Sequence, residues 1–303
     1  MPTRGYLNKQ AALLLKNPIY AWCMTGVLAL FPFSGWLSLA IMALVTLRRH
    51  WFDGVRCLIV GLTASICWAE VVGQVPETLD TVVPAYLLCY GLAFLLRRTA
   101  SWQLVAIGCV SIAMLAIFFA HWFAANFIME QYQTVLKIIN AIDQDNLMGQ
   151  VFGNQNGVMQ LKFAHYFLGI KVISVILSAM VPLMLARSIQ SALYYPGAFK
   201  QEMMSFRANS LGCVLLLLTM LGVYQNNLLS ISCLPIFFVY LMMAGVSLIF
   251  NLLVKKKKLV IYAALFLPVV ILPYIVLPAY VLFGSIDSVF NLRSRWCLHT
   301  QGD

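Results

Sequence analysis

Charged side chains are scarce in this sequence. Only 10% of the 303 residues are Asp, Glu, Lys or Arg, and 62% are apolar, whereas an ordinary soluble domain carries roughly 25% charged residues. Such a chain cannot cover its surface with polar groups, which excludes a soluble globular protein. No stretch of ~100 residues is polar enough for a separate soluble domain, so we expect a single integral membrane domain over residues 1–303.

The sequence also lacks the motifs of common catalytic and nucleotide-binding sites. It contains no G-x-x-x-x-G-K-[ST] phosphate loop, no H-E-x-x-H, no G-x-S-x-G and no dinucleotide fingerprint. The eight cysteines form no C-x-x-C pair, and most lie in apolar runs, where Cys acts as a small hydrophobic residue. We therefore predict a protein that is not an enzyme and that holds no metal ion or cofactor.

Apolar stretches recur from one end of the chain to the other. A membrane helix needs ~20 apolar residues. Candidate segments lie at 19–33, 35–47, 55–72, 81–96, 101–125, 164–186, 208–224, 229–254 and 259–283. They predict an all-α fold, a polytopic transmembrane helical bundle with about 8–10 membrane segments that include short or re-entrant hairpins.

Two of these regions depart from a simple crossing. The pair at 19–47 is interrupted around Pro32 and is too short for two full spans, so it predicts a thin or re-entrant hairpin. The segment 259–283 contains Pro268, Pro273 and Pro278. Proline breaks a membrane helix and is tolerated where protein covers the freed backbone groups, so we expect this segment to turn inside the bundle and return to the cytoplasmic side.

Cations cluster at alternate connections between the apolar segments. The clusters are Arg48, Arg49 and Arg56; Arg97 and Arg98; Arg187, Lys200 and Arg207; and Lys255, Lys256, Lys257 and Lys258. The positive-inside rule then predicts a multi-pass protein of a bacterial cytoplasmic (inner) membrane with a cytoplasmic N-terminus. Orientation accounts for most of the net charge of +10, so the expected partner is the lipid bilayer and not nucleic acid. The run 255–258 either contacts anionic lipid head groups or only sets the topology.

The connection 126–163 is the longest polar stretch. Ile128, Val135, Ile138, Ile139 and Ile142 recur near helical spacing, which predicts an extracytoplasmic amphipathic helix. A flexible loop rich in Asn, Gln and Gly follows it. Asp143 and Asp145 in this loop lack the pattern of a calcium site and indicate a solvated turn.

Four ionisable residues near the predicted outer ends of spans are candidates for a solute site. They are Glu70, His121, His165 and Lys171. Ionisable side chains are costly in hydrocarbon and often mark a substrate or proton path. The simpler alternative is that each residue only anchors its helix at the membrane interface, as a lysine does by snorkelling.

Two motifs assigned to the cytoplasmic side resemble those of the YybS-like membrane proteins, a bacterial family of unknown function. They are LARSIQSALYYPGAFKQEMMSFRANSLG at 185–212 and LFGSIDSVFNLRSR at 282–295. The motif AGVSLIFNLL at 244–253, with Asn226 and Asn227, also fits that family. The resemblance implies a distant relation to the substrate-binding subunits of energy-coupling-factor transporters and to the cell-shape protein MreD.

The connection 187–207 and the chain end are candidates for docking a cytoplasmic or membrane protein partner. Their residues predict a stiff, aromatic and charged turn, in which Asp287 could pair with Arg293. The docking candidates are Arg187, Tyr195, Pro196, Gly197, Phe199, Arg207, Asp287 and Arg293. We expect a substrate-binding subunit of a small-molecule uptake system; the alternative is an envelope or cell-shape assembly scaffold of the MreD kind.

Overall fold

The computed structural model describes residues 2–31, 33–142, 157–253 and 267–293, and these residues form helices without any strand. The helices, in chain order, are α1 (Pro2–Lys16), α2 (Pro18–Leu30), α3 (Gly35–Arg48), α4 (Trp51–Val72), α5 (Val75–Thr99), α6 (Trp102–Phe123), α7 (Ala125–Ile142), α8 (Gly157–Tyr194), α9 (Ala198–Ser205), α10 (Ser210–Tyr224), α11 (Leu228–Leu253) and α12 (Pro273–Phe290). The all-α prediction is confirmed.

Six of these helices are long and apolar enough to cross a membrane. They are α4, α5, α6, α8, α11 and α12, and the number reaches eight if each of two bent helix pairs counts as one span. One of the bent pairs joins α1 to α2 through a bend of 115°. The chain therefore has the architecture of a multi-pass α-helical membrane protein.

The chain forms two compact units whose segments alternate along the sequence. Unit 1 consists of Met1–Cys109 and Ser174–Met203, and unit 2 consists of Val110–Ile173 and Met204–Asp303. The boundaries fall inside α6, α8 and α9, so each of these three helices contributes to both units.

The short helices α2 and α3 pack within unit 1 against α4 and α5. They contain 13 and 14 residues, which is about 20 Å of helix and less than the ~30 Å of a hydrocarbon core. The two short helices predicted at 19–33 and 35–47 are confirmed, while a re-entrant path remains a prediction. Nine residues of α3 are buried, so this helix lies inside the unit.

Buried hydroxyl groups in unit 1 all find acceptors. Thr25 donates to the Ala21 carbonyl at 2.7 Å, and Ser38 donates to the Thr25 carbonyl at 2.8 Å. The Tyr86 hydroxyl donates to Ser38 Oγ at 2.8 Å and joins α5 to α3. These bonds fix the α2–α3 hairpin against the longer helices without exposing a polar group to lipid.

In unit 2, α11 and α12 cross at a contact between two glycines. A Cβ atom added to Gly245 would overlap the carbonyl of Tyr280, and one added to Gly284 would overlap the carbonyl of Leu241. Only residues without a side chain let the two backbones approach this closely. The pair Gly245 and Gly284 therefore sets the spacing of α11 and α12.

The amphipathic helix predicted in the connection 126–163 is confirmed as α7. Its residues Ile128 and Tyr132 are buried against Ala120 of α6 and Ala164 of α8. Leu136 also packs against this cluster, while Ile138 is 54% exposed. The location of α7 outside the cytoplasm remains a prediction.

Three of the predicted features fall wholly or partly on residues that the structure does not describe. The loop with Asp143 and Asp145, and the run Lys255, Lys256, Lys257 and Lys258, lie outside the described residues. The structure describes part of the proline-rich segment 259–283. This part is helical at 267–271, the helix is interrupted at Leu272, and α12 begins at Pro273. The break at Leu272 agrees with a proline-broken helix, and the return to the cytoplasmic side remains a prediction.

Replacing Gly284 by Ala tests the glycine contact in unit 2. We expect Gly284→Ala to lower the free energy of unfolding by about 1–3 kcal/mol, because the added methyl group forces α11 and α12 apart. Thermal unfolding in detergent, followed by intrinsic fluorescence, measures the change. The control is Gly91→Ala in α5, where an added Cβ meets no atom within 4 Å and stability should hold or rise. Equal stability of the two variants would contradict the contact.

Candidate functional site

The structure divides the four predicted solute-site residues between the two units. His121 lies near the end of α6, and His165 and Lys171 lie in the first half of α8, all in unit 2. Glu70 lies in unit 1, where its side chain is exposed in the last turn of α4. The candidate site is therefore described from the three residues of unit 2.

His165 is the most deeply buried of these residues. Its side chain lies inside unit 2, and the residue is 4% exposed. Its ring atom Nδ1 is 3.2 Å from the Ser232 hydroxyl of α11, and this hydroxyl is 2.9 Å from the His165 carbonyl. His165 thus contacts Ser232 of a neighbouring helix once through its ring and once through its backbone carbonyl.

The Ser232 hydroxyl can bond to the His165 ring in two ways. Its oxygen accepts from Nδ1–H while its hydrogen goes to the His165 carbonyl, or its hydrogen goes to Nδ1 itself. In both forms of the neutral ring, one nitrogen carries the hydrogen and the other does not.

His121 lies against His165. The ring centroids are 5.2 Å apart and the ring planes are tilted by 55°. The His121 Nδ1 atom is buried without a hydrogen-bond partner among the described residues. Two unit charges at this separation would repel by about 3 kcal/mol at an effective dielectric constant of about 20, so the pair disfavours double protonation.

Helix α7 lies beside this histidine pair. Its buried residues Ile128 and Tyr132 contact Ala120 and Ala164, which directly precede His121 and His165 in the chain. Burial raises the pKa of the Tyr132 hydroxyl, so this side chain stays neutral. Helix α7 thus packs on the residues that directly precede the two histidines in the chain.

Lys171 faces α7 and not His165. Its ammonium group donates a hydrogen bond to the Gln131 side-chain oxygen and lies 5.3 Å from the centre of the Phe127 ring. A second lysine of α8, Lys162, donates to the Asn226 side-chain oxygen at 2.8 Å. Both lysines therefore have polar partners on neighbouring elements of unit 2.

Sequence reasoning missed Ser232, the residue that orients His165. It lies in the apolar motif LLSISCLP at the start of α11 and is fully buried. A serine inside a span usually bonds to its own helix, so the sequence alone gave no signal of the contact with α8. Gln131 was missed for a similar reason, because it lies on a helix expected to face water.

The residues present do not form a metal centre. No group of three His, Cys, Asp or Glu side chains converges within the part of the chain that the structure describes. In unit 2, the described residues include only two carboxylates, Glu130 and Asp287. Glu130 is exposed on α7, and Asp287 is bound by an arginine of its own unit.

Two docking candidates of unit 1, Arg187 and Phe199, contact other residues of that unit. The Arg187 guanidinium donates two hydrogen bonds to the Glu202 carboxylate, and Trp102 Nε1 donates a third at 2.9 Å. Phe199 packs edge-on against the Trp102 ring, with 6.3 Å between ring centroids. Arg187 and Phe199 thus tie α8, α9 and the start of α6 together.

The tip of the same turn is open. Tyr195 is 62% exposed, Pro196 is exposed, and Gly197 has a φ of +95°, a conformation that favours glycine. The Arg48 guanidinium lies 3.7 Å from the centre of the Tyr194 ring. The predicted stiff aromatic turn is therefore present, with its aromatic tip exposed on unit 1.

The docking candidates of unit 2 are engaged inside that unit. Asp287 is fully buried, and Arg293 Nε donates to its Oδ2 atom at 2.9 Å, which confirms the predicted pair. Arg293 also donates to the Met204 carbonyl. Arg207 donates to the carbonyls of Asp287 and Ser288, at 3.0 Å and 2.7 Å. These side chains fasten the segment after α9 to the end of α12.

Replacing Arg293 by Met tests the buried pair. Asp287 would be left as a buried charge without a partner, so we expect a loss of about 3–5 kcal/mol in unfolding free energy. The double variant Asp287→Asn/Arg293→Met should recover most of that loss. Thermal or denaturant unfolding in detergent measures both variants.

A surface ion pair provides the control. Arg56 is 61% exposed and lies 3.6 Å from Asp53, and such pairs contribute ~1 kcal/mol or less. Arg56→Met should therefore cost far less stability than Arg293→Met. Equal losses in the two variants would show that Asp287 is not buried as described.

Known proteins give no further guide to these residues. Comparisons with models of protein families, with curated proteins and with solved structures matched nothing to this chain. The resemblance of 185–212 and 282–295 to the YybS-like proteins remains a prediction, and the function is argued from the residues themselves.

Proposed function

We propose that this protein is a non-enzymatic, multi-pass subunit of a small-molecule uptake system, and that unit 2 binds the solute beside His121 and His165. The observation that carries the proposal is the burial of His165 in a candidate membrane span, in contact with a second histidine and a serine from two other helices. Ionisable groups inside membrane helices are costly and usually serve a substrate or ion path.

The proposed topology supports an outward-facing site. The charge rule assigns the end of α6, the start of α8 and the start of α11 to the outer side of a bacterial cytoplasmic membrane. His121, His165 and Ser232 lie at these three ends and contact one another. A solute arriving from outside the cell would therefore meet the histidine pair first, next to α7.

The proposed energising partner binds on the opposite, cytoplasmic side. The exposed tip at Tyr195 and Pro196 is the docking surface we propose, because the polar groups around Arg187 and Glu202 are already paired with each other. A preformed turn loses little conformational entropy when it binds. Membership of the YybS-like family would agree with such a subunit, since it implies a relation to transporter subunits.

One observation favours the alternative, an envelope or cell-shape scaffold of the MreD kind. The Gly245 and Gly284 contact leaves no space between α11 and α12, as expected of a bundle that binds proteins and not solutes. A similar close approach joins Gly169 of α8 to the Ser232 carbonyl of α11. We rank uptake first because close packing of helices does not require ionisable residues, whereas buried ionisable residues are costly unless they serve a function.

Native mass spectrometry of the protein purified in lipid nanodiscs tests the solute site. We expect a co-purifying ligand of vitamin size that is lost in His165→Ala and His121→Ala, because both rings would contact it. His50→Ala is the matched control, since His50 is exposed in unit 1 and the ligand should remain. Glu70→Ala shows whether the exposed carboxylate of unit 1 also contributes.

Two results would contradict the uptake proposal. One is the absence of any bound small molecule from wild-type protein across several lipid and growth conditions. The other is a ligand that remains bound in both His165→Ala and His121→Ala while these variants unfold at the wild-type temperature. Co-purification of a stable membrane protein partner without any solute would instead favour the scaffold.

A further inference from the structure

The histidine pair of unit 2 has the chemistry of a proton site. The Nδ1 atom of His165 lies 3.2 Å from the Ser232 hydroxyl, and a neutral imidazole has one ring nitrogen without a hydrogen. His121 lies with its ring centroid 5.2 Å from that of His165, and its own Nδ1 is buried without a partner. Two basic rings in contact can take up hydrogen ions but compete for them.

The groups around the pair limit how many protons it binds. Helix α11 contributes Ser232 and contains no Asp, Glu, Lys, Arg or His. Helix α7 contributes Tyr132, and its charged residues Glu130 and Lys137 are exposed. Helix α8 contributes Lys162 and Lys171, which bond to Asn226 and Gln131. No buried carboxylate among the described residues of these helices offsets a second positive charge. The pair therefore disfavours a second proton.

We propose that His121 and His165 together bind a single exchangeable proton, which couples the outer site of unit 2 to the proton concentration outside the membrane. The proton adds to a free ring nitrogen, a new N–H bond forms, and the net charge of the pair changes from zero to plus one. The second ring stays neutral. Such pairs bind their protons in two separate steps that belong to the pair and not to either residue.

The use of this proton rests on the proposed function. A singly charged pair attracts an anionic group, so a solute with a carboxylate or phosphate would bind more tightly when the pair is protonated. By linkage, the same solute would then raise the affinity of the pair for its proton. A cationic or neutral solute would gain nothing from it. The proton site itself can be tested without any solute.

The test uses nitrogen-15 NMR of protein labelled at histidine and held in lipid nanodiscs. The sequence has four histidines, so the variant His50→Asn/His299→Asn leaves only the pair visible. Between about pH 4 and pH 9, a range centred near the ordinary histidine pKa, we expect the signals of both rings to change together as the first proton binds. The second proton should bind only in a separate, more acidic step.

Single variants show which contacts create this behaviour. In His121→Gln, His165 should titrate alone in one step. In Ser232→Ala, the nitrogen shifts of His165 should change, because the hydroxyl beside Nδ1 is gone. Lys137→Gln changes an exposed residue of α7 and should leave the titration unchanged.

Independent titration of the two rings, with the same midpoints as in the single variants, would overturn the proposal. So would two rings that stay neutral over the whole range. Either result leaves the proposed function untouched if a solute still co-purifies, because solute binding is measured by mass spectrometry and not by titration. Loss of the solute with an intact proton step would refute the proposed function alone.

Discussion

The hydrocarbon core of a membrane offers no hydrogen bonds, so every polar group of a buried helix must find its partner within the protein. The described residues meet this constraint in consistent ways. Hydroxyl groups such as Thr25, Thr46 and Ser65 donate to the carbonyl four residues earlier in their own helix. Ser38 and Tyr86 instead bond across helices. The polar contacts between helices are few, and each one therefore identifies a position where the helices must meet.

The same constraint explains why arginines collect at helix ends. The last carbonyls of a helix lack partners within it, and a basic side chain satisfies them and favours the negative end of the helix dipole. Arg49 donates to the carbonyls of Leu15 and Lys16 at the end of α1, and Arg207 does the same for α12. These residues therefore stabilise the fold. The exceptions among the described residues are five buried polar atoms without a hydrogen-bond partner, which include Nδ1 of His121 and two nitrogens of Arg48.

The sequence predicted what depends on composition and periodicity. The length of the apolar segments predicted candidate membrane spans, and helical spacing predicted α7. The opposite charges of Asp287 and Arg293, six residues apart, predicted their ion pair. The sequence alone could not predict contacts between distant segments, because the type of a residue does not determine which other residue it contacts. His121 and His165 were grouped correctly with each other, while Ser232 was missed and Lys171 turned out to face Gln131. Helical spacing predicts which face of α7 is apolar, but it does not predict which of those residues other helices cover, and Ile138 is exposed.

The central claim is that α8 and α11 meet through His165 and Ser232 inside unit 2. Disulfide cross-linking tests it directly in a variant whose native cysteines are replaced by alanine. Cysteines introduced by His165→Cys and Ser232→Cys should form a disulfide rapidly on oxidation in native membranes. In the native protein, His165 Nδ1 lies 3.2 Å from Ser232 Oγ. The pair Lys171→Cys and Ser232→Cys should not join, since Lys171 faces α7. Equal cross-linking of both pairs, or none in the first, would contradict the account.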